Sequence, residues 1–215
     1  MNNLLKQKIK YNIADLTTLL NRNVFYYLIA DILFYCTSNI VNSFLSILIA
    51  YQIASDRLDI VGIVFTSYEI AFAISSLFAE KITKRLKKQN KGNIIAISYT
   101  ISGILTAIIG FCSHAWTIAI FFALIGLFNG IAYPIKNSNY SKIVNNNYTE
   151  KAWGVLTFFN TLIPAIFLVL VGFLSSKSTL PIIFVISGLQ SVLSGFFFGK
   201  VNFNQTEPEL KKFIF

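Results

Sequence analysis

Six apolar stretches, separated by loops whose basic residues fall almost wholly on alternate sides, constrain this chain to a helical membrane protein with a defined orientation. The runs cover residues 24 to 54, 60 to 79, 93 to 112, 116 to 135, 152 to 174 and 181 to 199. Each is near or above the ~20 residues that a helix needs to cross ~30 Å of hydrocarbon. Barrel strands would be about half as long and would alternate apolar with polar residues, which these runs do not. The expected fold is therefore all-α, with six transmembrane helices.

The loops set the orientation. Lys6, Lys8, Lys10 and Arg22 precede the first span; Lys81, Lys84, Arg85, Lys87, Lys88 and Lys91 separate the second from the third. Lys136, Lys142 and Lys151 separate the fourth from the fifth, and Lys200, Lys211 and Lys212 follow the sixth. Sixteen of the eighteen basic residues thus share one side, with Arg57 and Lys177 on the other. Both termini are expected in the cytoplasm, in a plasma (inner) membrane. The net charge of +9 follows this topology and forms no basic face for nucleic acid, so no nucleic-acid partner is expected. Residues 1–23 read as a basic cytoplasmic segment, 24–199 as the membrane domain and 200–215 as a cytoplasmic tail. In the first of these, Leu5, Ile9, Ile13, Leu16 and Leu20 recur at helical spacing, which fits either an amphipathic helix on the interface or a solvated basic tail. The apolar run that follows is too long for a cleavable signal and reads as a retained anchor.

Asp31 and Glu69 are the acids inside apolar runs. A charged carboxylate at the bilayer centre costs ~2.5 to 3.5 kcal/mol on insertion scales. A carboxyl in low dielectric also holds its proton more tightly, so either acid could carry a proton between two faces; the alternative is an acid that ties helices together. In span one Asp31, Tyr35, Ser38, Asn39, Asn42 and Ser46 step by three or four and share a face. Lipid cannot satisfy that stripe, so it should meet helices or a wet cavity. Asn129, Tyr133 and Asn137 in span four, and Trp153, Thr157, Asn160 and Pro164 in span five, repeat the spacing. Their plainest reading is interhelical hydrogen bonding. From these sets, Asp31 and Glu69 are the candidate proton-coupling residues, and Tyr35, Asn39, Asn42, Asn129 and Tyr133 the candidate lining of a substrate cavity. Gly126 and Gly130 form a GxxxG that permits close helix approach.

After the second run, Ser76-Leu-Phe-Ala-Glu80-Lys81-Ile-Thr83-Lys84-Arg85 resembles the motif that joins the second and third helices of the major facilitator superfamily, G-x-x-x-D-R-x-G-R-R. Acid and basic positions coincide in spacing, while Ser76 and Thr83 replace the glycines and Glu80 the aspartate. Gly126-Leu-Phe-Asn-Gly-Ile-Ala-Tyr-Pro134 and Glu150-Lys-Ala-Trp-Gly154 are similar to the family's fourth helix and the start of its fifth, and Leu19-Leu-Asn-Arg-Asn23 to the opening of macrolide and siderophore efflux members. The resemblance implies a three-plus-three helix repeat, for which Gly62 and its run parallel Gly154 and its run. It also implies a cytoplasmic gate made by Glu80, Lys81, Lys84 and Arg85. Complete members have twelve helices in two halves, so six spans imply a second half, either another copy or a separate chain, or else a remnant that transports nothing.

The resulting expectation is a half-length secondary transporter for a small molecule, exporting it in exchange for protons. A membrane-embedded substrate-capture subunit of an ATP-driven importer stays open as the alternative; it would need a partner ATPase, because the chain has no P-loop. Enzymatic readings fare poorly. His114 is the only histidine, and no H-E-x-x-H, G-x-S-x-G or paired-aspartate motif is present. Neither a metal nor a cofactor is expected.

Overall fold

The computed structural model describes residues 22–53, 57–85, 91–144, 149–176 and 179–203. The expected N-terminal amphipathic segment, Lys87, Lys88, Lys177 and most of the C-terminal tail lie outside the described residues. Among the described residues, six helices are long and apolar enough to span a membrane. They are α1 (Arg22–Ile47, continued by a π-helical stretch, Leu48–Ile53), α2 (Leu58–Arg85), α3 (Lys91–Ile109), α4 (Ala115–Ile143), α5 (Thr149–Leu174) and α6 (Leu180–Gly199).

Two helices outrun their apolar runs. α2 continues to Arg85, so the Ser76–Arg85 motif lies on its last turns and not in a loop. α4 passes through Pro134 to Ile143, which carries Lys136 and Asn139 inside the helix although the apolar run stops at 135. Packing holds this polar extension: the Tyr140 ring lies 4.6 Å from that of Tyr27 and 4.8 Å from that of Trp153, and its hydroxyl donates to the Ala152 carbonyl at 2.9 Å.

The helix pairs in contact are α2 with α4, α1 with α5, α1 with α6, α3 with α4, α3 with α6, and α1 with α4. Exchanging the first three helices for the last three turns this set into itself, as a three-plus-three repeat demands. The first and last triplets meet along the α3–α6 seam, where Gly103 and Gly188 come together. A Cβ on either glycine would lie 2.5 Å from the carbonyl oxygen of the other. Gly110 abuts Pro181 and Phe184, and Gly195 abuts Ala96 and Thr100, so the two helices run antiparallel. Gly126 rests on the Tyr68 backbone and Gly130 on Phe72 and Ser75, so the GxxxG of α4 serves the parallel α2–α4 contact inside this chain. Buried hydroxyls stitch the core to backbone carbonyls: Ser194 to Ala30 at 2.7 Å, Thr37 to Ser187 at 3.0 Å and Ser191 to Tyr99 at 2.9 Å.

α2 and α5 stand apart. Of the residues in their spanning windows only 11 % are buried, against 44 to 50 % in the other four helices.

Candidate functional site

The centre of the bundle is an ion pair between α1 and α4. Asp31 and Lys136 are each 1 % exposed, and the Lys136 ammonium donates to Asp31 Oδ1 at 2.5 Å. The second carboxylate oxygen accepts from Asn160 Nδ2 of α5 at 2.6 Å. The rings of Phe34, Tyr35 and Tyr133 stand 5.4, 5.0 and 5.4 Å from the ammonium, which places it among three π-faces as well as against the carboxylate. Burial of this kind is viable because the charges are paired and hydrogen-bonded; a lone charge there would be expensive.

Charge counting assigns Lys136 to the cytoplasmic loop, and that assignment is corrected here: the residue is inside α4 and wholly buried. Its removal from the loop leaves the basic asymmetry in place. Sequence reasoning therefore missed the partner of Asp31. The available signal was Asp31 itself, since a buried acid requires a cation, and Lys136 sits one residue past an apolar run. Asn160 was visible only as a member of a polar stripe.

The site sits between two breaks in backbone hydrogen bonding. Pro134 lies two residues before Lys136, and Pro164 has no N–H to return to the Asn160 carbonyl. Both helices that hold Asp31 are thus interrupted within a turn of the residue they contribute.

The other expected site residues spread outward from this centre. Tyr35 is half-buried and Tyr133 is 40 % exposed, so the aromatic enclosure reaches the surface of the bundle. Asn39 and Asn42 are exposed on α1. Asn129 turns inward, accepting from Ser102 Oγ at 2.9 Å and donating to the Tyr68 hydroxyl at 3.4 Å. It lines a cleft of about 30 Å³, room for about two water molecules, whose mixed wall includes Ser38, Asn42, Ser102, Phe34, Phe122 and Ile125. Glu69 is not brought to Asp31. It is exposed on α2, and among the described residues no hydrogen bond or ion pair reaches its carboxylate. At the end of α2, Glu80 and Lys84 pair at 2.7 Å on a well-exposed turn, with Lys81 exposed beside them; the Arg85 side chain lies outside the described residues.

α2 and α5 carry a further pattern. Gly62, Thr66, Glu69, Ala73, Ser76 and Glu80 share one face of α2, and Gly154, Thr157, Thr161, Ala165 and Gly172 one face of α5. Gly62 and Gly154, Ala73 and Ala165, and Glu80 and Gly172 are repeat equivalents at one common offset. Nothing lies within 4 Å of a Cβ built on Gly62, Gly154 or Gly172, whereas Gly103, Gly110, Gly126, Gly130, Gly188 and Gly195 would all clash.

These features define a six-span helical membrane bundle with an internal three-plus-three repeat and a buried charged centre. The model of the Major Facilitator Superfamily matches residues 27–214, and the chain belongs to that family, a family of secondary transporters and not of enzymes. It carries the fold of one six-helix half. Comparison with curated proteins and with solved structures returns no match.

Proposed function

We propose that this chain forms one wall of a secondary transporter that moves a small molecule out of the cell in exchange for protons, the other wall being a second six-helix bundle docked on α2 and α5. The observation that carries this reading is the buried Asp31–Lys136 pair, walled by Tyr35 and Tyr133, which extend to the bundle surface. A proton arriving on Asp31 cancels its charge and leaves the Lys136 ammonium without its counterion in a buried setting. Protonation is thereby tied to a rearrangement of α1 against α4, which is the coupling an exchanger needs.

In this reading Asn39, Asn42, Asn129, Tyr35 and Tyr133 line the substrate path. Glu69, unpaired within its span, is the second proton site, taking up protons from the outer side. Glu80, Lys81, Lys84 and Arg85 gate the cytoplasmic end. The small and polar faces of α2 and α5 support the second wall, since lipid leaves Glu69 and Thr157 without hydrogen-bonding partners and open glycines admit a close helix. Outward direction rests on the likeness of Leu19–Asn23 to efflux members.

Everted membrane vesicles with an acid interior, monitored by an acridine dye that reports the pH gradient, test the reading. A transported solute collapses the gradient, and Asp31→Asn abolishes the collapse. Wild-type collapse in Asp31→Asn and Glu69→Gln, or failure of an aqueous maleimide to label cysteines at 39 and 42 in any state, removes the assigned roles.

A further inference from the structure

At the charged pair one buried acceptor is left over. Asp31 accepts from Lys136 and Asn160, yet Asn160 Oδ1 is buried with no partner. The orientation of that amide is fixed, because its nitrogen must face the carboxylate. The Asn160 carbonyl, one turn before Pro164, lacks its helical donor as well. Gln190 Oε1 on α6 is a second buried acceptor without a partner, and Glu69 is an unpaired acid on the exposed side. Donors are scarce. Every other described lysine and arginine lies at or near a helix end, and the buried Lys136 ammonium is already committed to Asp31.

The enclosure around that ammonium has the parts of a general ammonium site: a carboxylate, three aromatic rings and a neighbouring amide oxygen with capacity to spare. Lys136 fills it through a flexible stem, and two of its walls, Tyr35 and Tyr133, reach the accessible face.

We infer that the molecule this protein moves carries an ammonium group, and that this group replaces the Lys136 ammonium against Asp31 within the Phe34, Tyr35 and Tyr133 rings while donating to Asn160. Lys136 is then a tethered competitor that keeps Asp31 paired when substrate is absent. The inference rests on the transporter reading for its biological sense, but it is tested by binding alone.

The probes are propylammonium and propionate, chosen for equal size and opposite charge, with thermal unfolding of the purified protein in detergent as the readout. Propylammonium raises the Tm of the wild type saturably and propionate does not; Asp31→Asn removes the effect, and Asn160→Leu weakens it severalfold. Lys136→Met, which keeps the length of the stem and deletes the competitor, binds propylammonium at least tenfold more tightly than the wild type. Stabilisation of the wild type by propionate, lost in Lys136→Met, overturns the inference in favour of an anionic substrate and leaves the transporter reading standing. Absence of any wild-type response to propylammonium also overturns it, whether or not Lys136→Met folds. Amine binding with no solute able to collapse the gradient in vesicles would instead remove the transporter reading and keep the ammonium site.

Discussion

The α3–α6 seam and the outer faces of α2 and α5 are built from the same small residues and end in opposite states. At the seam, Gly103 and Gly188 bring two backbones into contact, and Gly110 and Gly195 lie against both backbone and side-chain atoms of the opposing helix. On α2 and α5, Gly62, Gly154 and Gly172 meet nothing, although they recur on one face with Thr66, Glu69, Thr157 and Thr161. Small residues at helical spacing therefore report the capacity for close approach and not whether this chain uses it. One side of the bundle is complete in itself; the other keeps its small and polar surface uncovered.

The largest expected effect separates the charged centre from everything outside it. Lys136→Ala leaves Asp31 buried and unpaired and should cost about 3 to 5 kcal/mol of unfolding free energy, read by detergent titration. Combining Asp31→Asn with Lys136→Met should recover most of that loss, because no charge then remains. Next comes the seam: Gly103→Val should cost about 1 to 3 kcal/mol through overpacking, and the double variant with Gly188→Val should cost clearly less than the sum of the two singles, since both strike one contact. Asn129→Ala, which strands the Ser102 hydroxyl, should cost roughly 1 to 2 kcal/mol by the same titration. The smallest effect falls on the open faces. Gly62→Leu and Gly154→Leu should change bundle stability by no more than about 1 kcal/mol, while sharply reducing crosslinking between α2 and α5 of facing bundles and the gradient collapse in vesicles. A seam-sized loss of stability at Gly154 would erase the distinction between the two regions.

The number of helices, their repeat and the family were legible because membrane spans must be long and apolar, and because the Ser76–Arg85 segment keeps the family's charge spacing. The end of α4 was not. Its polar residues after 135 look like a loop, and only tertiary contacts made by Tyr140 and Lys136 show why they stay helical. Asp31 could be singled out from its cost in lipid, but its neutraliser lies 105 residues away in sequence. Glu69 and Asp31 look alike in the sequence, yet one is wrapped on all sides and the other lies open, a difference set by which helices reach each acid.

The meeting of Gly103 with Gly188 also bears on how such a repeat can change over time. Residues away from the seam between the two triplets can drift independently, since each faces its own neighbours. Here two glycines from opposite triplets face each other, so neither can acquire a side chain by borrowing space that the other gives up: both are already at the minimum. The crossing is fixed at the floor of side-chain size, and the divergence that tells the two triplets apart has to accumulate elsewhere.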